Sequence, residues 1–237
     1  MMPVSPRPPQ NALLAALPND VMARLSSKLQ RVQMPAGSVL FEPGMPLQDV
    51  YFLENAVVAM NFVMANGSSA EVALIGREGM VGVRLLLGDP SMNVRASVQS
   101  AGSGLRMPAA SLLEEVSRGG ALMHVLLHYT ATFIGQLVQT AACNHLGTVE
   151  QRLCRWLLLS LDRVSSTELT MTHEAIADAL GVKREGITEA AGKLRRQGAI
   201  HYHRGHIEVL DRALLESKTG GFYQARGETP HPVRLTA

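Results

Sequence analysis

Cysteine is scarce in this 237-residue sequence. Only Cys143 and Cys154 occur, at no metal-binding spacing. So few thiols exclude a disulfide framework and point to a reducing cytoplasm. Histidine is missing from the first half, because His124, His128, His145, His173, His201, His203, His206 and His231 are the full set. The N-terminal half therefore has no imidazole or thiolate to hold zinc, non-haem iron or an iron–sulfur cluster, which excludes a metal-dependent jelly-roll enzyme there. No Ser/His/Asp or paired-carboxylate arrangement is visible, and Glu114-Glu115 is a surface dyad. No unbroken apolar run reaches the roughly 18 residues of a membrane span. The Ala/Leu stretch Asn11 to Leu17 is too short and badly flanked for a secretory signal. Charged residues at 18% are still too few, beside 46% apolar ones, for a disordered chain. The length suits one large or two small domains.

The formal net charge of +2 hides an uneven distribution. Before Thr148 bases and acids balance. Within residues 183–212, Lys183, Arg184, Lys193, Arg195, Arg196, Arg204 and Arg212 face only Glu185, Glu189, Glu208 and Asp211. Such a patch is informative only if it coincides with a nucleic-acid-binding element.

Along the chain, Asn11 to Val32 carries leucines and Val21 at helical spacing, giving one helix or two short ones with Pro18 opening the second. From Arg31 to Pro108 the texture changes to strand-sized apolar runs: 38–41, 50–53, 57–63, 71–75, 94–98 and 104–107. They are separated by Pro35-Ala-Gly, Pro43-Gly44, Asn66-Gly67 and Gly88-Asp-Pro. Six or more strands without long helices between them predict an antiparallel barrel or jelly roll. After a short helix from Ala109 to Glu115, Leu122, Leu126, Tyr129, Phe133 and Leu137 form an apolar stripe, widened by Val125, Ile134, Val138 and Ala141. A helix apolar on two faces needs two partners. One is its own barrel, and a second copy of the chain is the simplest other. Gly147 breaks this helix, and Thr148-Val-Glu-Gln151 restarts it as a capping box opening Val149 to Val164.

The strongest local signal follows Leu169. Thr172 caps a helix from His173 to Leu180, with Ala175, Ile176, Ala179 and Leu180 on its buried side. Gly181 supplies the turn, and Lys183 to Gln197 forms a second helix with Ile187, Ala190, Ala191 and Leu194 inward. Strands at 199–202 and 206–210 around Arg204-Gly205 make a hairpin. This is a winged helix-turn-helix, whose second helix enters a DNA major groove. Arg184 matches the O6/N7 edge of guanine and Glu185 can accept from cytosine N4, with Thr188 and Glu189 on the same exposed face. Thr172, Lys183, Lys193, His203 and Arg204 suit phosphates, which set affinity and register.

The order of these parts resembles the Crp/Fnr superfamily of transcription regulators over about residues 20–215. The segment Thr172 to Glu189 is similar to the family's Gly-x-x-Arg-Glu-Thr-Val-x-Arg pattern at Gly181, Arg184, Glu185 and Ile187. The resemblance implies an α+β protein: an arm (1–19), an antiparallel β jelly-roll sensor of the cyclic-nucleotide-binding type (20–116), a dimerisation helix (117–147), a C-terminal winged helix-turn-helix (148–217) and a tail (218–237). It implies a cytoplasmic homodimer on a palindromic promoter site in double-stranded DNA, with RNA polymerase and a small-molecule effector as further partners, and neither catalysis nor a membrane. The alternative is a ligand-binding or enzymatic jelly roll with an accessory winged helix. Two departures matter. Glu189 replaces a second base-reading arginine. In the cassette for cyclic nucleotides, Gly82-Val83-Arg84 and Arg95-Ala96 lack the family's carboxylate and hydroxyl, and Leu137 and Val138 offer an adenine no polar handle. Arg95 alone could pair with a phosphate. Each missing partner costs roughly 1–3 kcal/mol in a buried site, which speaks against cyclic AMP. No cysteine cluster matches the iron–sulfur branch, and Cys143 with His145 fits packing better than haem.

Overall fold

The computed structural model describes residues 9–88, 93–164, 166–203 and 205–224. Residues 1–8 of the expected arm, Asp89-Pro90 of an expected turn, Arg204 and residues 225–237 of the tail lie outside that set. The chain divides into two compact units between Leu137 and Val138. The first begins with two short helices, α1 (Ala12–Ala15) and α2 (Asn19–Ser26). Eight strands follow: β1 (Gln30–Met34), β2 (Val39–Phe41), β3 (Asp49–Leu53), β4 (Val57–Val63), β5 (Ser69–Ile75), β6 (Met80–Val81), β7 (Arg95–Ser100) and β8 (Gly102–Pro108). They form two four-stranded sheets, ordered β1-β8-β3-β6 and β2-β7-β4-β5, with antiparallel neighbours throughout. Val50, Phe52, Leu105 and Met107 of one sheet and Val58, Met60, Ala96 and Val98 of the other share one buried core. This is the expected jelly-roll architecture.

Two strands of this unit were not anticipated. The expected helix to Val32 stops at Ser26, and Gln30–Met34 pairs instead with β8, Gln30 opposite Arg106 and Met34 opposite Gly102. The Leu25/Leu29 spacing suggested a helix, but antiparallel pairing with β8 along all of Gln30–Met34 outweighs it. β6 is two residues long, too short to leave a periodic signal. The N-terminal helices are anchored by Asn11. Its buried amide donates to the carbonyls of Leu53 and Gly79, both at 2.8 Å, while its Oδ1 caps α1 at Leu13 and Leu14. A second anchor is the buried carboxylate of Glu54, held by Arg31 through two bonds of 2.8 and 2.9 Å.

After α3 (Ala109–Val116), α4 (Ala121–Leu146) runs for 26 residues without one Asp, Glu, Lys or Arg. By length and composition it could cross a bilayer, because interspersed His, Gln and Thr break the apolar run without adding charge. Its Leu122, Leu126 and Tyr129 are instead buried in the first unit's core, and Phe133 and Leu137 pack against it.

The second unit contains α5 (Val149–Leu161), opened by the full Thr148/Gln151 capping box, then β9 (Glu168–Thr170), α6 (His173–Leu180), α7 (Arg184–Arg196), β10 (Ile200–His203), β11 (His206–Val209) and α8 (Arg212–Lys218). α5 ends at Leu161, three residues short of expectation. The three strands form one antiparallel sheet in the order β10-β11-β9. Trp156, Leu157, Ile176, Ile187, Leu194 and Ile207 are at the centre of its core. On α6 the buried residues are Ile176 and Ala177. Ala175, expected inside, is exposed. Beyond α8, Tyr223 donates to Asp162 at 2.9 Å and Phe222 accepts from Arg155 at 3.0 Å, so the start of the tail is packed.

Candidate nucleic-acid interface

The two-helix motif is built from local rules. Thr172 adopts extended backbone and its hydroxyl accepts from the amide of Ala175, starting α6. Gly181 ends it at φ 62°, a left-handed conformation that glycine adopts without strain. Lys183 precedes α7, whose Ile187, Ala190, Ala191 and Leu194 are at most 6% exposed. Burying that face leaves the opposite one projecting. Arg184, Glu185, Thr188 and Glu189 are all exposed, and together they line one shallow depression of about 400 Å³. The structure thus brings all four expected base readers onto one surface.

Their charges are partnered within the motif. Arg184 Nε lies 3.6 Å from Glu174 of α6, with both side chains about two-thirds exposed. Glu189 pairs with Lys193 one turn on at 2.8 Å, which holds its carboxyl below the usual range and Lys193 above it. An acid on this exposed face thereby carries its own counter-charge. Lys193, Arg195 and Arg196 also sit in the last turn of α7, where cations complement the helix dipole.

Of the expected phosphate contacts, Lys183 is exposed at the start of α7 and Thr172 is exposed at the start of α6. The wing lies against that second point, because Met171 donates to the carbonyl of Gly205 at 2.7 Å. His203 is exposed at the end of β10, opposite His206. Arg204 belongs to the residues not described.

Two residues of the motif escaped the sequence reading, Glu174 and His173. His173 is half-buried, stacks on Tyr202 with ring centroids 4.2 Å apart, and meets the hydroxyl of Thr188 at 3.1 Å. Burial, and then the charge of Arg184, lower its pKa from the ordinary histidine value. A histidine directly after a capping threonine reads as surface, and nothing local reveals the contact.

Three of the residues singled out for an effector, Val83, Ala96 and Leu137, lie in or against the apolar core of the first unit. Gly82 has φ 104°, and Val83 and Ala96 are buried in the apolar core, at 4% and 0% exposure. Arg84 is half-buried beside Val83. Arg95 is engaged by Glu42 at 2.8 Å. Leu137 packs on the same core, whereas Val138 is 63% exposed. Cys143 and Cys154 are buried, and burial pushes the thiol of Cys154 up to about 12. His145 is exposed.

Comparison with known proteins matches residues 31–118 to the cyclic nucleotide-binding domain and residues 151–218 to the Crp-like helix-turn-helix domain. The global nitrogen regulator of Synechococcus elongatus is 28% identical over 203 residues, spanning 80% of this chain and 90% of that protein. The transcriptional regulator LdrP of Thermus thermophilus is 30% identical over 137 residues, 52% of this chain and 70% of that protein. Among solved structures, a transcriptional regulator of the crp/fnr family from Eubacterium rectale superposes with TM-score 0.70 at 18% identity, covering 88% of this chain and 98% of that one. FixK2 from Bradyrhizobium japonicum gives 0.69 at 18% identity, covering 80% and 96%.

Proposed function

The chain belongs to the Crp/Fnr family of DNA-binding transcription regulators, and from that premise we propose how it reads DNA. It acts in the cytoplasm as a homodimer on a two-fold-symmetric promoter site, each α7 entering a major groove. Arg184 reads guanine through O6 and N7, and Glu185 accepts from cytosine N4, with Thr188 and Glu189 completing the base-reading face. Thr172, Lys183, Lys193, His203 and Arg204 hold phosphates. The observation that carries this reading is the single depression lined by Arg184, Glu185, Thr188 and Glu189, with the hydrophobic side of α7 fully buried behind it. Dimerisation is supported by the outer face of α4, where Leu127, Ile134 and Val138 remain 43–63% exposed. Its work is binding rather than catalysis, with RNA polymerase as the downstream partner.

For the barrel we propose an effector other than cyclic AMP. Val83 offers a ribose no acceptor, Ala96 offers a phosphate no donor, and Arg95 already faces Glu42. The two buried, widely spaced cysteines favour neither haem nor an iron–sulfur cluster. The central test is Arg184→Ala. Sequence-specific binding in a gel shift should weaken by about 1–3 kcal/mol while the dimer stays intact. Unchanged specificity in that variant rejects the assignment.

A further inference from the structure

Thr188 stands in the middle of the exposed face of α7, yet its hydroxyl is turned away from that face. Oγ1 donates to the carbonyl of Arg184 one turn back at 3.1 Å, and on its other side meets Nδ1 of His173 at 3.1 Å. A hydroxyl has one proton. With that proton on the Arg184 carbonyl the imidazole donates from Nδ1; with it turned to the ring, Nδ1 accepts, and in both arrangements Oγ1 is held at the same place between the carbonyl and α6. The ring cannot easily swing away. Its face rests on Tyr202 at an interplanar angle of 20°. Its Nε2 is buried without a hydrogen-bond partner among the described residues, a position a bare acceptor tolerates better than a charged N–H. The neutral ring is therefore the form this environment favours, and either of its tautomers ties Oγ1 to α6.

Threonine carries only a hydroxyl and a methyl on its Cβ. With Oγ1 committed to the backbone and to α6, the group left for a ligand at this position is the methyl. We propose that His173 is a positioning residue which locks Thr188 so that α7 presents a methyl group here and reads the C5 methyl of a thymine. An unlocked threonine, by contrast, can hydrogen-bond to several different base edges and discriminates poorly. This inference rests on the proposed entry of α7 into the major groove.

The test uses the purified full-length protein. Duplexes are selected from a random library, and each thymine of one selected half-site is replaced in turn by uracil, which removes only the C5 methyl. The inference expects one position where uracil weakens wild-type binding roughly fourfold, the transfer value of one buried methyl. Thr188→Val, with a methyl in place of the hydroxyl, should keep that discrimination, and Thr188→Ser should lose it. His173→Ala should bring it below about twofold at unchanged affinity for random duplex. His173→Asn, whose amide nitrogen can take the place of Nδ1, should restore it, a rescue that a purely structural histidine does not predict. A half-site with no uracil-sensitive position overturns the inference, as does sensitivity that survives Thr188→Ser. If His173→Ala does not fold, the two Thr188 variants decide alone. Arg184→Ala separates the two levels. If that variant loses sequence selectivity and uracil has no effect in wild type, only the thymine inference fails. If it retains full selectivity, the groove assignment itself fails.

Discussion

Val138→Glu is the sharpest probe of assembly. The outer face of α4 shows Leu127, Ala131, Ile134, Val138 and Ala141, all exposed and separated by steps of four, three, four and three. That spacing is the one a heptad seam between two side-by-side helices requires. Fully burying a valine yields about 1.5–3 kcal/mol. With 63% of Val138 still exposed in the single chain, about 1 kcal/mol remains to be gained on dimerisation, or roughly 2 for the symmetric pair. A glutamate forfeits that gain and also places two carboxylates face to face in a dehydrated seam, at several kcal/mol per ion. The sum is at least about 5 kcal/mol, which raises the dimer Kd by more than roughly a thousandfold. Sedimentation equilibrium at micromolar concentration should find wild type dimeric and the variant monomeric, with unchanged helical circular dichroism. A variant that stays dimeric refutes the seam.

Four further outcomes are expected. In Gly79→Ala the new Cβ falls within 2.7 Å of two ring carbons of Tyr129, whose hydroxyl donates to the Met80 carbonyl, and overpacking of about 1–3 kcal/mol should lower the melting temperature. Tyr223→Phe removes the donor to Asp162; about 1 kcal/mol is lost, and melting should fall by about 4–8 °C if the unit unfolds independently, whereas no change contradicts a packed tail. Because the folded pKa of His173 is depressed, the unfolded chain binds its proton first as pH falls below 6.5. Its stabilising contribution is thus complete above that value and declines from there toward the folded pKa, so a melting series should show a slope that His173→Asn abolishes. Finally, Glu189→Ala releases Lys193 toward the phosphates, and the plot of log affinity for random duplex against log salt should steepen by about one counterion.

What was legible in the sequence was what neighbours in the chain decide. Thr148, Thr172 and Gly181 signal helix ends by their own hydrogen bonds and backbone freedom, and each stands where expected. The inward residues of α7 follow from a 3.6-residue period and all are buried. The same rule misplaced Ala175, because alanine is small enough to sit on either side of α6, and Ala177 took the interior. What was illegible is long-range. Gln30–Met34 is a strand only because β8, over seventy residues on, offers it an edge. Arg95 has an ion pair with Glu42, 53 residues away, which its neighbours in the chain do not show. α8 did carry a local signal, Asp211 capping at Leu214, but Gly and Pro farther along drew attention to the tail instead. The residues proposed for an effector come from the turn at 82–84, from β7 and from α4, and no local pattern joins them.

Two of the charge pairs differ in what they can release. Arg31 grips Glu54 through two bonds, with the carboxylate side chain only 4% exposed. Breaking that pair strands a buried charge, typically at 3–5 kcal/mol, so it belongs to the fold. Arg184 touches Glu174 through one nitrogen at 3.6 Å with both side chains about two-thirds exposed, and such a surface pair is worth about 0–1 kcal/mol. A bidentate guanine contact returns about 1–3 kcal/mol. The exchange of Glu174 for a base is favourable on those values, while exchanging Glu54 for any solvent-borne anion is not. If α7 enters a groove as proposed, Glu174 does not withhold Arg184 from DNA.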